Sequence, residues 1–326
     1  MTTNILQYLE ASLKKSPNKI VFADENESIS YDELVDQSKR IGSFILNEID
    51  NSIRNPIVVF VDRNMASLLP FFSVAYSGNF YVPIDRTMPD KRIELIIETL
   101  KPVACIVYEE DKEYVTSIAS HLMQIIYEEA VQNEINDEAL TKVRRDIIDT
   151  DPIYATFTSG STGTPKGVIT CHRSVIDLTE DLVDTFHFNE DDVFGNQNPF
   201  YFDASIKDIY CTLKCGATMF VFPKSCFVLP AKLVEYFNKH KVSSILWSAA
   251  AIALVANTNA FEDNQPEFLK KAMFSGEVMH NKVLNYWRRA LPETMFVNLY
   301  GPTEITSVCS YYIVDRPYKD NEVLPI

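Results

Sequence analysis

The run from Thr158 to Gly167, "TSGSTGTPKG", concentrates the groups that hold a phosphate. Gly160, Gly163 and Gly167 permit tight backbone curvature. The hydroxyls of Thr158, Ser159, Ser161 and Thr162 and the loop's N–H groups supply donors, and Lys166 adds a positive charge. A flexible Gly/Ser/Thr connection has the same composition, but Pro165 beside Lys166 argues against it, because a flexible linker gains nothing from a proline-stiffened cation. The run is not a Walker motif, since no "GK[ST]" occurs in it. A second run, "NLYGPTE" from Asn298 to Glu304, is a turn signal that ends in a carboxylate. Glu304 suits Mg²⁺, which takes few protein oxygens and keeps phosphates and waters as its other ligands. A surface turn with an exposed glutamate reads the same way.

These groups need elements to hold them. Tyr31 to Glu48 has apolar residues near helical spacing and is followed by "PIVVFVD", a buried-strand pattern. The alternation recurs: Ala66 to Ser77 helical, Pro89 to Leu100 helical, "VACIVY" strand, Glu113 to His121 helical, "MQIIY" strand. Glu128 to Asp151 is polar and weakly periodic, a surface connection that places a subdomain boundary at 150/151. After the strand "IYATFT" come "CHRSVIDLTEDLVDTF" helical, "DVFGNQ" strand, "ASIKDIYCTLKC" helical and "ATMFVF" strand, then "SSILWS", "AMFS", "NKVLNYWRRA" and "TMFVNL". Such alternation predicts an α/β fold of two subdomains, 1–150 and 151–326, with mainly parallel sheets flanked by helices.

The 326 residues exceed what one hydrophobic core usually holds, and 46% apolar with 23% charged residues excludes a disordered chain. A net charge of −15 argues against a nucleic-acid surface built on general basicity, while leaving room for a local phosphate site. The six cysteines are scattered, without a CxxC pair, which favours reduced thiols and a cytoplasmic setting. The longest apolar stretch, Ile245 to Ala256, is too short to span a bilayer, and the N-terminus lacks a signal-peptide pattern, so no membrane partner is expected.

In wording and order the two runs resemble the adenylate-forming superfamily, and most closely the amino-acid adenylation domains of nonribosomal peptide synthetases. "ISYDEL" (Ile29 to Leu34), "YVPIDRTMPDKRIELIIE" (Tyr81 to Glu98) and "FYFDAS" (Phe200 to Ser205) are further stations of that pattern, so the likeness covers almost the entire chain. The resemblance implies the large N-terminal core of such an enzyme, with ATP and Mg²⁺ as cofactors. A carboxylate attacks the α-phosphate of ATP, pyrophosphate leaves, and the acyl adenylate passes to a carrier-protein thiol. It implies that the loop Thr158, Ser159, Gly160, Ser161, Thr162, Gly163 and Lys166 closes over the β and γ phosphates, that Thr303 touches the α-phosphate, and that Glu304 holds Mg²⁺. Adenine lies, on this likeness, between Tyr300 and the "SGE" segment with Gly276 and Glu277, while Asn298 and Gly301 complete the nucleotide site. Lys166, Thr303 and Glu304 are the implied catalytic residues.

Asp203 resembles the aspartate that relatives activating α-amino acids pair with the substrate ammonium; an aspartate here also suits a helix N-cap, worth about 1 kcal/mol. Carried over by likeness, Ala204, Lys207, Trp247, Met273, Ser275, Leu299, Ser307 and Val308 surround the substrate side chain. Trp247, Met273 and Leu299 then form a tight floor, and a small or medium polar amino acid follows. A buried Lys207 ammonium without a partner is costly, which favours an acidic side chain slightly. Lys207 also stands four residues after Asp203, the spacing of a helical ion pair worth about 0.3–0.5 kcal/mol, which competes for Asp203.

The likeness stops after "YGPTE". No "TGD" occurs, and the hinge and C-terminal lid domain of the family are absent. The expectations are therefore a fragment of an adenylating enzyme, weakly active or inactive alone, or else a naturally short binding or regulatory protein, or one half of a split enzyme. An aryl or acyl-CoA ligase is the alternative chemistry, disfavoured by Asp203.

Overall fold

The computed structural model describes residues 1–158 and 165–326. Its fourteen described strands are β1 (Ile20–Ala23), β2 (Ser28–Ser30), β3 (Pro56–Val61), β4 (Phe80–Asp85), β5 (Ala104–Val107), β6 (Met123–Ile126), β7 (Pro152–Thr158), β8 (Lys166–Cys171), β9 (Val193–Asn196), β10 (Thr218–Val221), β11 (Ser244–Ser248), β12 (Lys271–Ser275), β13 (Met295–Tyr300) and β14 (Ser310–Ile313). They form two sheets, in the order β6-β5-β3-β4-β7-β8 and β14-β13-β12-β11-β9-β10-β1-β2.

The chain divides into two compact units. The first comprises Met1–Asn18, Ser30–Asp177 and Phe200–Phe202, and the second Lys19–Ile29, Leu178–Pro199 and Asp203–Ile326. This differs from a single cut at 150/151. β7 pairs in parallel with β4, and β8 turns back antiparallel along β7, so the first sheet runs past the polar connection. The second sheet, in turn, recruits β1, which pairs in parallel with β10.

In the first unit, β3, β4 and β5 are buried along nearly their whole length, which is why they read as continuous apolar runs. The helix Tyr31–Glu48 opens on a capping box: the Ser30 hydroxyl accepts from the Glu33 N–H, and Glu33 Oε2 accepts from the Ser30 N–H at 2.8 Å. The stretch expected as a polar connection contains a helix, Asp137–Asp146, capped by the Asn136 side chain. It buries only Leu140 and Val143, so its apolar stripe was too thin to show as periodicity.

In the second unit, β9 to β13 run parallel to their neighbours and β14 closes one edge antiparallel. The helix Ser205–Cys215 ends on Gly216 in the left-handed region, the usual stop for a helix. Lys19 fastens the start of β1 to this unit, its ammonium reaching the carbonyl oxygens of Glu190 and Gly216, the latter at 2.7 Å. Among the described residues, no helix is long and apolar enough to cross a membrane.

Candidate active site

Alternation along the central strands decides which residues face a pocket. Ile245, Trp247, Ala272, Phe274 and Phe296 belong to one core cluster, together with residues of the helices Pro230–Lys239, Ala249–Asn257 and Asn281–Ala290. With a side-chain period of two, Leu246, Met273, Ser275, Val297 and Leu299 point to the opposite face. The helix Ser205–Cys215 packs against β9, β10 and β11, and none of its residues joins that cluster, so it covers this second face.

Met273, Ser275 and Leu299 therefore lie on the face that the helix Ser205–Cys215 covers. Trp247 does not. Its ring is fully buried among Phe222, Phe227, Phe237 and Trp287, and its Nε1 donates to the Gly195 carbonyl at 2.6 Å. A register error of one residue inverts the face, and the position beside Met273 falls to Leu246. Leu246 carries no signal of its own in sequence, because Ile245, Leu246 and Trp247 are all apolar and β11 is buried on both faces. Asn298 likewise lies on the Trp247 face, where its amide donates to the Pro325 carbonyl at 2.8 Å.

Asp203 stands one residue ahead of the helix N-cap, Ala204, and no side chain caps this helix. The carboxylate of Asp203 does not cap the helix; it accepts instead from the Thr303 side chain and the Ala204 N–H. Burial pushes its acid strength down, raising the pKa above the ordinary carboxylate value; nearby Lys207, the Thr303 side chain and the Ala204 N–H oppose the rise, and Glu304 adds to it. One turn along, Lys207 is 1% exposed. Its Nζ donates to Ser307 Oγ at 2.9 Å, and no ion pair joins it to Asp203 among the described residues. The helical pair weighed from spacing gives way because Asp203 lies outside the helix. Burial lowers the Lys207 pKa, while Asp203 and Asp208 counteract. Asp208, wholly buried, accepts from the Asn196 amide at 2.8 Å, and burial pushes its carboxyl up to about 7.

Ser307 and Val308 enter this site through an unusual backbone. Thr306 and Ser307 have φ of 65° and 73°, in the left-handed region that favours glycine. Each such non-glycine residue costs on the order of 1–2 kcal/mol. Gly301 lies under them: a Cβ there would meet the Ser307 carbonyl oxygen at 2.5 Å and the Val308 Cα at 2.7 Å. Only glycine fits at 301.

For the nucleotide residues, Thr158 ends β7 and Lys166 starts β8, paired directly across the ladder, with Lys166 exposed. Ser159, Gly160, Ser161, Thr162 and Gly163 lie outside the described residues. Gly276 has φ of 93° just after β12 and is followed by exposed Glu277. Tyr300 is half exposed at the end of β13, with its carbonyl accepting from the Cys309 N–H at 2.8 Å. Thr303 and Glu304 occupy the 3-10 turn Thr303–Ile305. Glu304 is exposed, and no group of three or more potential ligands surrounds it among the described residues. A lone accessible carboxylate fits Mg²⁺ held mainly by phosphates and waters, not a metal caged by protein. Asp203, Lys207, Thr303, Glu304 and Ser307 are thus brought together from two distant stretches of sequence.

The profile of the AMP-binding enzyme family matches residues 9–325. The chain belongs to this family. Among curated relatives, the D-alanine–D-alanyl carrier protein ligase of Listeria innocua serovar 6a is 30% identical over 332 residues, covering 98% of this chain and 62% of the relative. The enzyme of the same name from Bacillus cytotoxicus is 25% identical, over 99% of this chain and 63% of its own. The chain thus spans about three-fifths of the length of the curated relatives it matches. Among solved structures, the nonribosomal peptide synthetase FmoA3 with α-methyl-L-serine-AMP bound gives a TM-score of 0.86 at 22% identity, covering 97% of this chain and 35% of that one. VinN with L-aspartate gives 0.82 at 17% identity, covering 99% and 82%. These likenesses establish the fold: the N-terminal core of an adenylate-forming enzyme, with two mainly parallel sheets flanked by helices.

Proposed function

We propose that this chain carries the ATP- and amino-acid-binding part of a ligase that activates an amino acid as its adenylate and passes it to a carrier-protein thiol. Membership of the AMP-binding family supports the nucleotide, and the printed names of the curated relatives support an amino acid and a carrier protein. The observation that carries the amino-acid reading is Asp203: a largely buried carboxylate, relieved of capping duty, that an α-ammonium group would compensate. An aryl or acyl acid offers no such charge.

In this reading Asp203 orients the substrate, so that its carboxylate meets the α-phosphate. Thr303 donates to that phosphate, Lys166 and the loop before it bind the β and γ phosphates, and Glu304 holds Mg²⁺, which neutralises charge on the phosphate oxygens. Preplaced donors of this kind supply most of the acceleration, and no covalent nucleophile from the protein is needed. Leu246, Met273 and Leu299 form the apolar wall of the side-chain pocket. Lys207 is its cation, bonded to Ser307 and, among the described residues, to no other acceptor, which favours a short acidic side chain.

Calorimetric titration of the chain with a panel of L- and D-amino acids, in the presence of MgATP, tests this. Aspartate or glutamate is expected to rank first, and Lys207→Ala to abolish that rank. A panel led by alanine in either hand would instead mean that Lys207 stays on Ser307 and only fills space. No amino acid binding at all, with Asp203→Ala indistinguishable from the parent, defeats the proposal.

A further inference from the structure

The segment after β13 holds a conformation that its residue types disfavour. Thr306 and Ser307 are consecutive non-glycine residues at positive φ, and the Val308 N–H donates to the Thr306 carbonyl at 2.9 Å, closing a three-residue turn centred on Ser307. A γ-turn with positive φ at its centre is rare and strained, and a β-branched threonine beside it is a poor tenant of that region. Such strain persists only where the surroundings impose it.

Two contacts impose it here. Gly301, lacking a side chain, admits the Ser307 carbonyl against its own backbone. From the other side, the buried Lys207 ammonium donates to Ser307 Oγ at 2.9 Å. The first contact merely permits the turn, whereas the second ties it down.

We propose that Ser307 is a positioning residue that acts as a latch. Its hydroxyl holds the Lys207 ammonium and the 306–308 turn together, and a ligand carboxylate that takes Lys207 releases the turn. Thr303 and Glu304 stand on the same short segment, bound to it by the Thr306 N–H donating to the Thr303 carbonyl at 3.1 Å. A released turn therefore shifts the two groups that border Asp203, so that occupancy of the side-chain pocket is felt at the phosphate and magnesium residues. The latch rests on the geometry alone; its release by an acidic side chain rests on the substrate reading above.

Residue-resolved amide exchange on this chain tests both parts separately. In Ser307→Ala and in Lys207→Met, exchange of the Val308 amide is expected to rise at least about tenfold, while the amides of β13 keep their protection, as local opening requires. A general loss of packing would speed both sets, and that result, or unchanged Val308 protection in both variants, overturns the latch. Lys207→Met keeps the test open if Ser307→Ala does not fold. In the parent chain, saturating L-aspartate is expected to speed Val308 exchange as Ser307→Ala does. If the variants loosen the turn and aspartate does not, the latch stands and the acidic-substrate reading falls.

Discussion

Gly301 and Ser307 lie in backbone contact: a single methyl group on Gly301 would come within 2.5 Å of the Ser307 carbonyl oxygen. That contact cannot be relieved by rotating a side chain, because its far side is backbone. Gly301→Ala is accordingly expected to destabilise the chain by about 1–3 kcal/mol, the usual penalty for overpacking, and to break the Lys207–Ser307 bond. Thermal unfolding measures the first effect and faster exchange of the Val308 amide the second. An unchanged melting temperature would show that the segment simply moves aside.

Lys207 makes the opposite prediction for stability. A buried ammonium with one hydroxyl partner has lost most of its hydration, a cost that an apolar side chain of similar length does not carry. Lys207→Met should thus match or exceed the parent in urea unfolding while losing any preference for acidic amino acids. A large drop in stability would mean that Asp203 and Asp208 depend on this charge.

Strand alternation separates two neighbouring residues. Trp247→Ala is expected to cost about 3–5 kcal/mol, as for a large buried aromatic, without reordering amino-acid preference. Leu246→Ala should reorder that preference by enlarging the pocket. The reverse assignment in a binding panel would place the register one residue off.

Acid should weaken the first unit through His172. Burial, with Arg144 nearby, holds its imidazole down at about 4, and its Nδ1 accepts the Ile5 N–H at 3.3 Å. The folded chain keeps this ring neutral, whereas the unfolded chain protonates it near 6.5. Between those values the unfolded state binds the extra proton, so stability falls as pH drops from about 6.5 to about 4, by up to about 1.4 kcal/mol per pH unit. Unfolding midpoints across that range should slope less steeply in His172→Gln.

Glu304 is exposed, so Glu304→Gln should leave stability within about 0.5 kcal/mol of the parent. In a completed enzyme it is expected to cost on the order of a hundredfold in rate. Titrating ATP with and without magnesium should show that the metal no longer strengthens binding.

The apolar spacing carries much of the fold, and the likeness to adenylation domains carries the site residues. The helix Tyr31–Glu48 and the strands β3 and β13 emerge where the apolar spacing says. The likeness to adenylation domains names Asp203, Lys207, Thr303, Glu304 and Ser307, which the second unit brings close together. Trp247 was misplaced because a short buried strand is apolar on both faces, and composition does not say which residue points where. The helix Asp137–Asp146 was missed because two buried residues among charged ones give almost no period. The Thr306–Ser307 turn left no trace in sequence either, since neither residue type advertises a positive φ and the cause, a glycine and a lysine, is remote.

The strand β1 has a consequence for synthesis and for engineering. Its partner β10 begins at Thr218, 195 residues after Ala23. At roughly 5–20 residues per second, that partner follows on the order of 10–40 seconds later. Until then the nascent segment has an unsatisfied edge and depends on helpers or on its own polarity to stay single. A graft that exchanges pocket residues between such proteins by cutting once in the middle would leave β10 without β1, so a successful transplant must carry Lys19–Ile29 and Leu178–Pro199, which holds β9, along with the region from Asp203 onward.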